Sequence, residues 1–141
     1  MCGINGFIKN NTNINDLLIN TMNEKIIHRG PDDNGIFNEE ILNKHVGLGM
    51  RRLSIIDLEK GQQPIISEDG KLVLVFNGEI YNFQSLKNQL IKENHLRFKT
   101  TSDTEVILKL YQAFGPKSFK MLDGMFAFSI LDKFKNKIYL V

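Results

Sequence analysis

Five consecutive apolar residues near the middle of the chain, residues 72–76, restrict most strongly how it can fold. Valine and phenylalanine favour strands, and a strand with one face in water would alternate apolar with polar residues. The unbroken run therefore predicts a strand that is covered on both faces. Asn77-Gly78 follows at once, and because Asn-Gly is a strong turn signal, we expect the strand to end there.

Three helices are predicted from apolar residues that recur at intervals of three and four. They cover residues 14–26, 83–91 and 106–114. Asn13 is the expected N-cap of the first helix. Ser102 and Glu105 match a capping box ahead of the third helix, and Gly115-Pro116 is expected to end it.

Further short strands are predicted between the helices. They lie at Gly3–Lys9 and at residues 35–37, 46–53, 97–100, 125–131 and 137–141. Hairpins and crossovers together predict a layered α+β protein rather than a doubly wound one. Because Val141 stands within an apolar run, we expect further strands to follow it, and residues 1–141 alone to aggregate through an uncovered strand edge.

The charge and composition of the chain argue against several functional classes. The 18 Lys and Arg residues are scattered and nearly balanced by 16 Asp and Glu, so we expect no nucleic acid or membrane as a partner. A single cysteine cannot form an intramolecular disulfide, which is typical of a reducing, cytoplasmic setting. No signal peptide or spanning segment is expected. The three histidines lack metal-ligand spacing, so no metal site is expected.

The single cysteine, Cys2, stands directly behind the initiator methionine. Removal of Met1 would leave a free α-amino group on the residue that carries the thiol. The unperturbed pKa is about 7.7–8.0 for such an amine and about 8.5 for a thiol, so the amine can take the thiol proton near neutral pH. Cys2 is therefore a candidate nucleophile, although an isolated cysteine is as often a small buried apolar residue.

Five further segments stand in an order that matches a known family. They are His28-Arg29-Gly30-Pro31-Asp32, Arg52-Leu53-Ser54-Ile55-Ile56-Asp57, Asn77-Gly78-Glu79-Ile80-Tyr81-Asn82, Ser102-Asp103-Thr104-Glu105-Val106-Ile107 and Gly124-Met125-Phe126-Ala127-Phe128. With Met1-Cys2-Gly3-Ile4, they make the chain resemble the N-terminal glutaminase domain of class II glutamine amidotransferases, in particular that of glutamine-hydrolysing asparagine synthetases. The resemblance implies an N-terminal-nucleophile hydrolase fold, an αββα sandwich of two antiparallel sheets. Residues 1–141 would form an incomplete glutaminase domain, truncated at its C-terminal end.

The resemblance assigns the catalytic roles to Cys2, Asn77 and Gly78. Cys2 would attack the side-chain amide of glutamine, with its own amine as base and then acid. The Asn77 side chain and the Gly78 N–H would stabilise the negative oxygen of the tetrahedral intermediate. An isolated Asn-Gly would more often be an ordinary turn. His28 is not needed as a base, so residues 28–32 are interpreted as a rigid loop that walls the pocket.

The α-carboxylate of glutamine is expected to bind Arg52, since a guanidinium binds a carboxylate through two parallel hydrogen bonds. Backbone contacts are implied from Leu53, Ser54, Ile55 and Ile56. Alternation along a strand sends Arg51 to the opposite face from Arg52, so only one of the two can enter the pocket. The alternative for a lone arginine is a solvated side chain on the strand.

The ammonium group of glutamine is expected to bind Asp103 and Glu79. Asp103 opens a predicted helix, where the helix dipole alone would stabilise a carboxylate, and Glu79 could be an exposed turn residue. We expect Ser102 and Glu105 to complete the capping box and so to leave the Asp103 side chain free.

The same resemblance implies the partners. Glutamine would be the small-molecule substrate, and no cofactor is expected for its hydrolysis. The ammonia would pass to a C-terminal synthetase domain of the same chain, which would use ATP and Mg²⁺ to make asparagine from aspartate. Two alternatives stay open: another acceptor, such as a surface-polysaccharide sugar or a different carboxylate, and a non-catalytic domain that keeps the fold. A homodimer is also left open.

Overall fold

A computed structural model describes residues 2–10, 17–53 and 62–141. Within these ranges, seven strands form two antiparallel sheets. The first sheet has the order β1-β3-β2 and contains β1 (Gly3–Lys9), β2 (Asp33–Ile41) and β3 (Lys44–Arg52). The second has the order β4-β5-β6-β7 and contains β4 (Ile65–Ile66), β5 (Leu72–Ile80), β6 (Gly124–Asp132) and β7 (Lys137–Leu140).

Helices cover the outer faces of both sheets. Helix α1 (Leu17–Lys25) packs on the first sheet, while α2 (Phe83–Asn94) packs on α3 (Asp103–Phe114), which in turn covers the second sheet. The order of layers is therefore helix, sheet, sheet, helix, and the predicted α+β sandwich is confirmed. No helix in the described part of the chain is long and apolar enough to cross a membrane.

Strand β5 is buried on both faces, as its apolar run predicts. Val73 and Val75 face the first sheet and belong to the core between the sheets. The intervening side chains, Leu72, Leu74 and Phe76, face α3. The strand does not end at Asn77-Gly78, however, and that prediction is wrong. Pairing with β6 continues to Ile80, because Gly78 lies opposite Phe126 in the ladder and the hydrogen bonds to β6 override the local turn preference.

The core between the two sheets is formed by alternate residues of β3, β5 and β6. It contains Val46, Leu48, Met50, Val73, Val75 and Leu131, and Cys2 packs against it. The opposite face of β3 carries Gly47 and Gly49. A Cβ atom at Gly49 would lie 2.5 Å from Asn23 Oδ1 and 3.0 Å from Ile19 Cδ1, so the missing side chain lets α1 approach the sheet closely.

Asn23 joins α1 to all three strands of the first sheet. Its Oδ1 accepts a hydrogen bond of 2.6 Å from Asn5 Nδ2, and its Nδ2 donates to the carbonyl oxygens of Gly35 and Met50, at 3.2 and 3.4 Å. The side chain is 3% exposed, so water cannot replace these bonds. Asn23 therefore stabilises the outer layer by polar contacts where the glycines of β3 have removed apolar ones.

Several other elements differ from the sequence prediction. The strand predicted at residues 97–100 is an irregular connection, and β4 and the 3-10 helix Gly115–Met121 were not predicted. Strand β2 runs for nine residues, where only residues 35–37 were predicted as a strand. The expected N-cap Asn13 lies outside the described residues. The predicted helices α2 and α3, and the strand pair β6 and β7, are confirmed.

We predict that Asn23→Ala lowers the free energy of unfolding by about 1–3 kcal/mol, because it leaves buried polar partners without hydrogen bonds. Asn20→Ala is the matched control, since Asn20 is exposed on the same helix and its loss should change stability by less than about 0.5 kcal/mol. Urea denaturation measures both values. Equal losses for the two variants would contradict the role given to Asn23.

Candidate active site

Cys2 lies at the head of β1, on the face that packs against the second sheet. Its Sγ is 3.8 Å from the carbonyl oxygen of Leu53, and the side chain is half-buried against the core between the sheets. Gly3, the first residue of β1, pairs with Arg51, so the residue before it, Cys2, comes beside Arg52 on the same face. The structure therefore brings Cys2, Arg52 and Leu53 to one corner of the first sheet.

The two consecutive arginines at the end of β3 have different surroundings, although both are buried. Arg51 faces α1, where its Nε donates to the carbonyl oxygen of Gly30 at 2.9 Å and its Nη2 lies 3.5 Å from that of Pro31. Arg52 alternates to the inner face, with Met50 and Cys2. Arg51 thus fastens a loop to the sheet, and only Arg52 shares a face with the thiol.

The segment at residues 28–32 was predicted as a loop, but it begins with the end of a 3-10 helix, Ile27–Arg29, and then packs against the end of β3. A Cβ atom at Gly30 would come within 2.5 Å of backbone atoms of both Arg51 and Arg52, and the Asp32 N–H donates to the Arg52 carbonyl oxygen at 3.1 Å. Only glycine permits this approach. The loop therefore fixes the position of the strand end from which Arg52 projects.

Asn77 projects from β5 toward the first sheet, on the same face as Val75. Its Oδ1 is buried and has no hydrogen-bond partner within residues 2–10, 17–53 and 62–141. The next residue, Gly78, has a φ of +143°, and a Cβ atom there would overlap the carbonyl oxygen of Met125 on β6. The predicted pair Asn77-Gly78 therefore combines an amide oxygen that has no partner among the described residues with a backbone that only glycine can adopt.

The edge of β5 that faces away from β6 runs past Gly78, and β4 covers it only at Val73 and Leu74 in the described ranges. Backbone N–H groups of a strand point alternately to its two edges, and the even-numbered groups of β5 point away from β6. Phe76 N–H donates to Gln63 Oε1 at 2.7 Å, and Ile80 N–H donates to Asp103 Oδ2 at 3.1 Å. The N–H of Gly78 faces the same edge, between these two occupied donors. Gln63 was not predicted from the sequence, because a glutamine in a loop carries no signal of its own.

Asp103 differs in one respect from the expectation. Its side chain is not free, since Oδ2 accepts the Ile80 N–H at 3.1 Å. Burial raises the pKa of the Asp103 carboxyl, hydrogen bonds from the backbone of Ile80, Thr104 and Asp103 itself oppose this, and the nearby charge of Glu79 raises the pKa further. The charges of Asp103 and Glu79 are therefore close enough to interact.

The predicted capping box forms only in half. The Ser102 Oγ accepts the Glu105 N–H at 3.4 Å, but the Glu105 carboxylate does not return to Ser102. It accepts from the backbone N–H groups of Lys99 and Thr100 at 2.7–3.1 Å, and from the Thr100 hydroxyl. Glu105 therefore holds the connection that leads into α3, and with it the first turn that carries Asp103.

The predicted site residues fall into two groups. Cys2, Arg52 and Leu53 lie at the end of the first sheet, whereas Asn77, Gly78, Glu79 and Asp103 lie along the end of β5. Ser54, Ile55 and Ile56 lie outside the described residues. Cys2 and Asn77 project from facing surfaces of the two packed sheets, so a nucleophile and an amide share the space between the layers.

Comparison with known proteins agrees with this architecture. A family described as "Glutamine amidotransferase domain" matches residues 1–141. Asparagine synthetases (glutamine-hydrolysing) 1 and 2 of Bacillus subtilis are each 43% identical to the chain, over 99% and 100% of its length. The chain spans 22% and 18% of the lengths of these two relatives. Glutamine phosphoribosylpyrophosphate amidotransferase of B. subtilis, solved with ADP and GMP, matches with a TM-score of 0.60 and 26% identity, over 78% of this chain and 31% of that one.

Two antiparallel sheets packed between helices, with the one cysteine at the head of the first strand, define the N-terminal-nucleophile amidotransferase fold. Within that class, the chain belongs to the glutamine amidotransferase domain family. The resemblance inferred from the sequence motifs is thereby confirmed.

We predict that Gly78→Ala destabilises the protein more than Gly70→Ala. Gly70 has a φ of +70° with open space around it, so alanine there meets only backbone strain of about 1–2 kcal/mol. At Gly78, overlap with the Met125 carbonyl should add about 1–3 kcal/mol. Chemical denaturation gives both losses, and a Gly78→Ala loss no larger than that of Gly70→Ala would show that the strand end has room for a side chain.

Proposed function

We propose that this chain hydrolyses glutamine to glutamate and ammonia through a thioester on Cys2. The observation that carries the proposal is the position of Cys2 and Asn77 on the facing surfaces of two packed sheets, with Arg52 beside the thiol. A nucleophile, an amide and a guanidinium are the groups that acyl transfer from an amino-acid substrate requires.

Cys2 supplies the nucleophile and its base. With Met1 removed, the α-amine takes the thiol proton, the thiolate attacks the side-chain amide carbon, and the protonated amine gives its proton to the departing ammonia. Water then attacks the thioester, the amine again acts as base, and glutamate leaves while the thiol is restored. No histidine takes part.

Asn77 and Gly78 stabilise the oxyanion of each tetrahedral intermediate. Rotation of the Asn77 side-chain amide by 180° exchanges its oxygen and its nitrogen. The buried site of Oδ1, which has no partner among the described residues, can therefore be occupied by the Nδ2 donor. An oxyanion would satisfy that donor and the adjacent Gly78 N–H together. Donors that are fixed before the reaction need no reorganisation during it, which is why such sites accelerate acyl transfer.

The two ends of the glutamine backbone bind opposite charges. Arg52 is buried and points to the face that carries Cys2, where a guanidinium can hold the α-carboxylate. Asp103 and Glu79 are close enough to interact electrostatically, and together they favour the α-ammonium group. The substrate would then lie from the end of β3 to the first turn of α3, with its amide at Cys2.

The ammonia is proposed to pass to a synthetase domain of the same chain, which uses ATP and Mg²⁺ to convert aspartate to asparagine. Two observations support this: the names of the B. subtilis relatives, and the small share of their length that this chain spans. A reducing, cytoplasmic setting suits a nucleophilic thiol. A related acceptor, such as a sugar or another carboxylate, would leave the glutaminase chemistry unchanged.

The test of this function is covalent labelling with a glutamine analogue that carries an electrophile in place of the amide. We expect one label, at Cys2, together with release of glutamate and ammonia from glutamine. A matched form with a residue left in front of Cys2 turns the amine into an amide, and glutamine hydrolysis should fall by about 10² or more. Intact-mass measurement verifies both N-termini. Full activity of the extended form would refute the amine as base.

We also predict that substitution of Arg52 affects glutamine binding, whereas substitution of Arg51 affects stability. Arg52→Ala should raise the KM for glutamine about 10- to 100-fold, since charged hydrogen bonds contribute about 1.5–3 kcal/mol. Arg51→Ala should lower the melting temperature, because the Gly30 carbonyl loses its donor, and should change the KM by less than about twofold. An equal rise in KM for both variants would contradict the assignment of the two faces.

A further inference from the structure

The edge of β5 that leads to the proposed oxyanion site is only partly covered by β4. Ile65 and Ile66 pair with Leu74 and Val73, and no further residues of β4 pair with β5 in the described part of the chain. At the next donor along this edge, the acceptor is a side chain: Gln63 Oε1 takes the Phe76 N–H at 2.7 Å. A glutamine side chain therefore replaces the backbone carbonyl that a longer strand would supply.

This replacement has a consequence for the next donor, Gly78. If β4 continued as backbone, its carbonyl groups would accept from Phe76 and then from Gly78, and the Gly78 N–H would be occupied. A single glutamine side chain can accept the hydrogen bond of the Phe76 N–H without occupying the N–H of Gly78. Gly78 is also the residue with the greatest backbone freedom in the strand, with a φ of +143°, so its peptide plane needs fixed neighbours.

The backbone donors before and after Gly78 on this edge of β5 both have acceptors. Gln63 Oε1 holds Phe76 N–H before Gly78, and Asp103 Oδ2 holds Ile80 N–H after it. The main chain of Gln63 is itself seated on Gly35 of β2, where a Cβ atom would overlap the Gln63 carbonyl oxygen. Gln63 therefore links the first sheet to the strand of the second sheet that carries Asn77 and Gly78.

We propose that Gln63 is a positioning residue for the oxyanion site: it holds β5 straight through Phe76 while leaving the Gly78 N–H open. This inference rests on the proposed function. The Gln63 Oε1 atom binds the backbone of β5 and not the substrate. Removing the Gln63 side chain should therefore weaken the stabilisation of the intermediate and leave the contacts to both ends of the substrate backbone intact.

The experiment compares Gln63→Ala, Gln63→Glu and Gln62→Ala in the full-length protein. The preceding residue, Gln62, is exposed and serves as the matched control. Active sites are first counted by labelling Cys2 with the electrophilic glutamine analogue, and kcat is expressed per labelled site, so that partial unfolding does not lower it. The KM for glutamine is measured in parallel.

We expect Gln63→Ala to lower kcat about tenfold, below the roughly 10²–10³ that follows removal of an entire oxyanion donor, with KM changed less than about twofold. Gln63→Glu keeps an acceptor for Phe76 N–H and should restore most of the loss. A rise in KM at constant kcat, an equal effect of Gln62→Ala, or no rescue by glutamate would overturn the inference. Failure of the unchanged protein to take the label at Cys2 would instead refute the proposed function.

Discussion

Burial of β5 on both faces is the constraint on which the rest of the structure depends. Val75 packs toward the first sheet and Leu74 toward α3, and each fully buried side chain of this size contributes about 1.5–3 kcal/mol. A strand held from both sides cannot shift or rotate without exposing apolar surface. Its end therefore offers a rigid base, on which Asn77 and Gly78 keep a fixed direction although the glycine itself is flexible.

Along the edge of β5 opposite β6, the described residues pair through backbone only at Val73 and Leu74. An open edge normally invites association with other chains, and proteins cover or interrupt such edges. Here two side chains, Gln63 and Asp103, take donors on either side of Gly78. These two side chains interrupt the edge on either side of the Gly78 N–H, the donor that the proposed reaction would use. Because Asp103 lies against this edge of β5, its carboxyl is partly desolvated, and the desolvation raises its pKa.

Much of the fold, and the family of the chain, was predictable from the sequence, whereas the roles assigned to the site residues stay predictions. Local patterns were enough to predict the buried strand β5, the helix α3 and the family indicated by the motifs around Cys2. The structure and the comparisons confirm these three predictions. The turn predicted at Asn77-Gly78 failed because β6, some fifty residues later, pairs with both residues. The bond from Gln63 to Phe76 is equally non-local. The local preference of a residue does not depend on which distant strand or side chain will pair with it. The contacts that orient Asn77 and Gly78 therefore could not be predicted from the sequence around them.

The glycines of β3 also bear on which structure forms. Gly47 and Gly49 lie on the outer face of β3, where a Cβ atom would meet the Phe7 ring at Gly47 and α1 at Gly49, whereas Val46 and Leu48 face the core between the sheets. If β3 slipped by one residue against its neighbours, the valine and leucine would turn to the outer face, where Phe7 and α1 leave no space for them, and the core would receive glycines. This alternation opposes mispaired sheets as well as favouring the native one. Selection on these two glycines would therefore act during folding, independently of any reaction at Cys2.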